Sequence, residues 1–336
     1  MASTKQTYPR SREQTSEPID AKGLLPILRQ HWGHEVLDIR QAQSRRVHFV
    51  QWPHCRVVVR TNPGWDGPTD PSVIVNYVHH MSQQGAPAPS IELTSDGSLS
   101  LSLGDQIISV ESFIPGRTAD LEPVPGFDSL GDGLAALHRT GRSFTGKPLE
   151  LRPAGEYIKL LLGRSMTRTV GEEASESVTR LYRSLVRTNN DLLAERVPWI
   201  LCRGDVRDMN TIVTPDNKVR FIDFDSAEFA PALFDLVMPR IQWTLGKHYT
   251  LLNAVDTVQI VRGYHAGRPL TDAEWRCYPL VWAAYYADRM TFLLHRRQQG
   301  TRHKEIDLLL DHVLNLPETA VGLGQDVVDS VRDSLE

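Results

Sequence analysis

At 336 residues, 40% hydrophobic and 23% charged, the chain has a globular composition and exceeds what one small core holds, so two lobes around a cleft are expected. A formal net charge of −4 gives no reason to expect nucleic acid, and no apolar run approaches the length of a membrane span. Cys55, Cys202 and Cys277 offer neither metal-ligand spacing nor an even count for a disulfide framework, which points to a reducing compartment, the cytoplasm.

The polar, mixed-charge start over residues 1–20 lacks a signal-peptide core and is expected to form a tail. Residues 22–32 (KGLLPILRQHW) predict a leading helix. A hairpin follows: Arg46–Val50, a turn at Trp52–His54, then Cys55–Arg60, with Arg56, Val58 and Arg60 on one face and Val57 and Val59 on the other. Asp70 reads as the N-cap of an amphipathic helix that begins at Pro71 and runs to Gln84. Beyond about residue 118 the pattern turns helical, with candidates at 126–140, 154–163, 172–196, 233–245, 255–264, 272–297 and 303–314. The expected organisation is a tail (1–20), a strand-rich lobe (21–116) and a helical lobe (117–336), without internal repeats.

One stretch carries chemistry. Between residues 201 and 235 (LCRGDVRDMNTIVTPDNKVRFIDFDSAEFAPALFD), Asp205 and Asn210 share a short loop, and the apolar run Val219–Ile222 reads as a strand that delivers Asp223, with Asp225 just beyond. Phosphoryl transfer asks for one carboxylate to orient the attacking hydroxyl and take its proton, and for oxygen ligands that hold Mg²⁺ against nucleotide phosphates. Asp205 suits the first task, Asn210 and Asp223 the second. Asp and Asn also populate ordinary turns and caps. Short apolar strands at 199–201, 211–213 and 219–222 frame these residues, and turn chemistry alone does not account for that framing.

Residues 201–236 resemble the signature of the aminoglycoside phosphotransferase and choline kinase family, in which Gly-Asp, a following Asn, an Ile-Asp-Phe-Asp element and a downstream Asp-Leu recur. Gly204-Asp205, Asn210, Ile222-Asp223-Phe224-Asp225 and Asp235-Leu236 fill those places. Ile107–Arg117, which resembles the strand and hinge connecting the two lobes, the segment LGDGLAALH (130–138) and Val261–Leu270 extend the likeness over about residues 22–315. The resemblance implies a two-lobed, protein-kinase-like α+β fold with a small antiparallel-sheet lobe and a larger, mostly helical one. It implies ATP with Mg²⁺, GTP being the alternative donor. Asp205 would be the catalytic base, Asn210 and Asp223 metal ligands, Asp225 a further ligand or loop support, and Asp235 a structural acid holding the catalytic loop. Arg60 would be the cation for the nucleotide phosphates, Ser44 a phosphate contact, and the backbone around Glu111–Phe113 the adenine contact. Arg60 also reads as a solvated strand residue.

Three departures stand out. Arg203 takes the place of the family's His, which questions loop geometry rather than chemistry, and reversion to His is expected to be tolerated. No glycine-rich loop is present where Gln43-Ser44-Arg45-Arg46 stands. The helix after Asp70 carries no acid to hold Arg60, so either Asp66 or Asp70 holds it or the pair is missing.

The acceptor is the least constrained element. Asp288, on a helix with Trp282, Tyr285 and Tyr286, and Glu228 are candidate acceptor-binding acids, and both also read as solvated charges or caps. Arg207, His265, Arg268, Arg289, Arg296 and Arg297 leave an anionic acceptor open. Three readings fit: a kinase for hydroxyls of small molecules such as aminoglycosides or amino alcohols, a Ser/Thr kinase for a precursor peptide, and a non-catalytic pseudokinase that binds partners without transferring phosphate.

Overall fold

In the computed structural model, which describes residues 19–42, 44–62, 69–168, 172–239, 252, 254–300 and 320–335, the chain divides into two units: Met1–His79 with Pro89–Phe113, and His80–Ala88 with Ile114–Glu336. In the first, the Asp20 carboxylate accepts the Gly23 amide at 2.8 Å and caps helix α1 (Ala21–Trp32), so Asp20 belongs to the helix start rather than to a tail. Leu24, Leu28 and Trp32, spaced to share one face of α1, pack on Val50, Trp52, Val57, Val59, Ile108 and Val110. Apart from Trp52, just past the end of β2 (Val47–Gln51), those residues come from β2 and from alternate positions of β3 (Arg56–Asn62) and β5 (Gln106–Ser112). With β1 (Asp38–Gln41) and β4 (Leu101–Leu103) they form an antiparallel sheet of order β1-β2-β3-β5-β4. The two outer strands are short and largely exposed, which removed the apolar alternation that marks β2 and β3. Asp70 caps α2 (Pro71–Gln83) by accepting the Ser72 amide at 2.8 Å and its hydroxyl at 2.6 Å.

The second unit holds α3 (Phe127–Gly141), α4 (Ala154–Thr167), α5 (Glu172–Thr188), α6 (Asn190–Ala194), α7 (Leu233–Val237), α8 (Ala254–Gly267), α9 (Asp272–Gln298) and α10 (Ala320–Asp333) among the described residues. One small sheet runs β10-β9-β6 (Val219–Phe221, Thr211–Val213, Arg117–Thr118) and the other β11-β8-β7 (Glu228–Pro231, Arg196–Cys202, Glu150–Pro153). The single helix expected over 172–196 is two helices, interrupted at Asn189, and Arg196 already belongs to β8. Asn is a poor helix former, and the run RVPWILC pairs with strands on both sides. The expected helix at 233–245 is seen as α7, and residues 240–245 lie outside the described residues, as do all of 303–314.

Helices α3 and α8 approach until their backbones touch. A Cβ on Gly131 would stand 2.0 Å from the Ile260 carbonyl oxygen, and one on Gly263 would stand 2.2 Å from that of Asp128. This contact brings His138 of α3 within reach of Tyr264 of α8.

Candidate active site

Strand β8 ends at Cys202, and the next eight residues form a loop closed by a 3-10 turn, Asp208–Asn210. Asp235, fully buried on α7, fixes its start: Oδ2 accepts the Arg203 amide at 2.8 Å and Oδ1 accepts the Gly204 amide at 3.0 Å. Gly204 sits at φ +80°, and a Cβ there would lie 2.0 Å from the Ser226 carbonyl oxygen, so only glycine fits. His138 Nε2 lies 2.9 Å from Asp235 Oδ2, and its Nδ1 lies 2.7 Å from the Tyr264 hydroxyl. These two supports were not foreseen, because a His inside an apolar helix face carries no local signal of its partner.

His138, Cys202 and Asp235 bring their donor atoms within 4.8 Å of one another. The Asp235 oxygens are already taken by two amides and an imidazole, and burial drives the Cys202 thiol well above its usual pKa. This buried trio therefore holds the loop rather than a metal.

At the loop's centre the Asp205 carboxylate is held on one oxygen. Oδ2 accepts the Asn210 side-chain amide at 2.7 Å and lies 2.9 Å from Arg207 Nη2. The Asn210 carbonyl accepts the Ile222 amide at 3.0 Å, which ties the loop to the residue before Asp223. Asp223 follows β10 at φ +64°, a left-handed conformation that Asp tolerates better than most residues, and Asp225 lies two residues on, half-buried.

Arg203 is 1% exposed, and its guanidinium joins the two loops by donating to the Asn210 carbonyl at 3.2 Å and to the Ile222 carbonyl. The Phe221 and Phe224 rings each lie 5.6 Å from its central carbon. Burial lowers its pKa, and the charges of Asp205, Asp223 and Asp235 oppose that shift. An imidazole is too short to span both carbonyls, so the expected tolerance of His at this position does not follow from the geometry.

The other nucleotide-side candidates lie in the first unit. Arg60 is 7% exposed, which removes the solvated reading, and its Nε lies 3.9 Å from Glu111 Oε1 on the neighbouring strand. The cation is thus paired within the sheet, and Asp70 is spent as a helix cap. Asp66 lies outside the described residues. Ser44 sits in the β1–β2 turn, its carbonyl accepting the Val47 amide and its hydroxyl the Arg46 amide. Phe113 follows β5, and its ring lies 4.9 Å from the Arg56 guanidinium.

Neither candidate acceptor acid is solvated. Glu228, opposite Cys202 in the β11–β8 ladder, takes Arg164 Nη2 at 2.6 Å and the Tyr157 hydroxyl at 3.4 Å. Asp288 on α9 pairs with Arg168 Nη1 at 2.8 Å. Burial raises the Asp288 pKa against the opposing pull of Arg168. The arginine partners, on and just after α4, were not singled out because they precede these acids by 64 and 120 residues.

A loop aspartate hydrogen-bonded to a carboxamide, with a second aspartate on a loop tied to it by the Ile222–Asn210 bond, is the arrangement of a phosphotransferase of the kinase class. The phosphotransferase enzyme family matches residues 35–270, and the chain belongs to that family, whose members phosphorylate alcohol groups. It is 28% identical over 248 residues to an uncharacterized protein of Deinococcus radiodurans, covering 70% of each chain. It is 25% identical over 206 residues to a homoserine kinase of Methylobacillus flagellatus, covering 61% of this chain and 62% of that enzyme, less than two thirds of its length. Among solved structures, a spectinomycin phosphotransferase with ADP and spectinomycin aligns with a TM-score of 0.58 at 15% identity, over 93% of this chain and 99% of that one. A choline kinase from Streptococcus pneumoniae aligns with a TM-score of 0.61 at 13% identity, over 90% and 98%. The fold is the protein-kinase-like α+β fold of these enzymes. No described helix is long and apolar enough to cross a membrane.

Proposed function

We propose that this chain transfers the γ-phosphoryl group of ATP, or of GTP in its place, to a hydroxyl of a small polar molecule in the cytoplasm. The observation that carries this reading is Asp205, whose two hydrogen-bonding partners both engage Oδ2. This leaves Oδ1 to receive an incoming hydroxyl, whose proton passes to the carboxylate as the oxygen attacks phosphorus. A new P–O bond to the acceptor forms, the bond to the β-phosphate oxygen breaks, and the nucleoside diphosphate leaves.

Asn210 and Asp223 present a carboxamide and a carboxylate oxygen from loops tied by the Ile222–Asn210 bond, a hard-oxygen set suited to Mg²⁺. With Asp225 as further support they would hold the ion, whose part is to neutralise phosphate charge. Arg60, held by Glu111, is the proposed cation for the nucleotide phosphates, with Ser44 near them and the backbone at Glu111–Phe113 for the base. The intact donor set favours catalysis over nucleotide binding alone. The names of similar enzymes, a homoserine kinase among them, favour a small acceptor.

The test is incubation with Mg-ATP and a panel of amino alcohols, hydroxy amino acids, aminoglycosides and Ser/Thr peptides. Mass spectrometry reads a gain of about 80 Da, roughly one transferred phosphoryl group. Gain on a small molecule is expected, and gain confined to peptides would contradict the reading.

A further inference from the structure

The carboxylates expected to greet a cationic acceptor are spent. Arg164 neutralises Glu228 at 2.6 Å and Arg168 neutralises Asp288 at 2.8 Å. Arg289, beside Asp288, has no such partner among the described residues. Tyr285, Asp288, Arg289 and Phe292 follow the i, i+3, i+4, i+7 spacing and share a face of α9. The Arg289 guanidinium lies 5.0 Å from the Phe292 ring and has no carboxylate partner among the described residues, and its buried Nε has no hydrogen-bond partner. Arg168 stacks on the same ring at 5.5 Å.

One turn away, Tyr285 is 3% exposed, and its buried hydroxyl also has no partner among the described residues. Its ring lies 5.5 Å from Phe234, the neighbour of the Asp235 that fixes the catalytic loop. Tyr285 is also close enough to Asp205 and Asp288 for their charges to add to the upward shift that burial gives its hydroxyl. A guanidinium with no carboxylate partner and a hydroxyl with no hydrogen-bond partner among the described residues, one turn apart on α9, are donors awaiting an acceptor.

We propose that the molecule phosphorylated here carries a carboxylate, and that Arg289 and Tyr285 bind it while its hydroxyl meets Asp205. This rests on the phosphotransferase reading above and narrows its substrate class. Arginine is suited to the task because its planar fork matches a carboxylate and it keeps its charge when desolvated. A purely cationic acceptor would meet a surplus positive charge here, with Glu228 and Asp288 already paired.

The full chain with Mg-ATP is offered matched pairs that differ in the carboxylate alone: L-homoserine against 3-amino-1-propanol, and glycerate against glycerol. Binding is read by saturation-transfer NMR and transfer by mass spectrometry. The carboxylate member of a pair is expected to bind and react in preference. Arg289→Gln should raise its KM by about tenfold or more, the size of one charge-assisted hydrogen bond, with a much smaller effect on kcat. Arg289→Lys should recover part of that loss.

Preference for the members without a carboxylate overturns the proposal. So does an Arg289→Gln protein whose KM for the carboxylate compound is unchanged or rises only for ATP, and so does the failure of both members of every pair to bind. In each of these cases Mg-dependent ATP consumption that disappears in Asp205→Asn would leave the phosphotransferase reading standing. Its absence from the wild-type chain would remove that reading too.

Discussion

Replacing Arg203 with methionine separates a catalytic role of this side chain from a merely structural one. The guanidinium is buried and donates to the Asn210 and Ile222 carbonyls, so it stitches the loop bearing the base to the loop bearing Asp223. Hydrogen bonds from a charged donor contribute roughly 1.5–3 kcal/mol each, so two lost bonds alone would cost about 3–6 kcal/mol. Methionine is of similar length and carries no charge, which removes a desolvation cost of several kcal/mol in the native state. The Asn210 carbonyl also keeps its bond from the Ile222 amide. The net stability loss is therefore about 1–3 kcal/mol.

Catalysis should suffer more, since a shift of about 1 Å between reacting groups costs on the order of 100-fold in rate. The assay pairs kcat for the acceptor with the urea midpoint followed by tryptophan fluorescence. A fall of about 100-fold in kcat beside a modest midpoint shift is expected. A kcat within about twofold of wild type would show that the loops hold their places without Arg203. Arg203→His should behave more like methionine than like arginine, because the ring cannot reach both carbonyls.

Three further substitutions probe neighbouring parts of the account. Asp223→Ala should abolish transfer and weaken Mg-nucleotide binding in a titration over magnesium concentration, and wild-type rates at all concentrations would remove the metal assignment. Asp235→Asn replaces one acceptor oxygen with a donor facing amides, so it should cost about 1–3 kcal/mol in denaturant melts and slow turnover; an unchanged midpoint would mean that the loop is held elsewhere. His48 is fully buried in β2 with both ring nitrogens unpartnered, and burial holds its pKa below the usual value against the pull of Asp20. It is kept neutral in the fold, so its contribution is present above the unfolded pKa of about 6.5 and is lost as pH falls toward the lower folded value. Stability of wild type relative to His48→Phe should therefore drop between pH 7.5 and 5, read as urea midpoints, and parallel midpoints would contradict it.

The parts legible in the sequence were those that local rules write. Buried Val57 and Val59 alternate with exposed Arg56 and half-buried Val58, so the β2–β3 hairpin could be read, and Asp70 before Pro71 marked the start of α2. The spacing of Asp205, Asn210 and Asp223 was visible because the loop and its strands are contiguous. Side-chain partners distant in sequence were not. Glu111 as the partner of Arg60 depends on the register that sets Val58 opposite Glu111, and His138 under Asp235 depends on the α3–α8 backbone contact. Arg164 and Arg168, which neutralise Glu228 and Asp288, reach them across the helical unit. The short strands β1, β4 and β6 escaped because they carry little apolar alternation.

The central claim is that Asp205 accepts the proton of the acceptor hydroxyl during phosphoryl transfer. Asp205→Asn keeps the side chain's size and can still accept from Asn210 or Arg207, but it cannot take a proton. The decisive measurement is phosphoryl transfer from labelled ATP to the accepted hydroxyl compound, with Mg-ATP affinity measured on the same protein by calorimetry. The account predicts a loss of transfer of about 100-fold or more, with nucleotide affinity within about threefold of wild type. Transfer at the wild-type rate, or loss of nucleotide binding together with transfer, would contradict it.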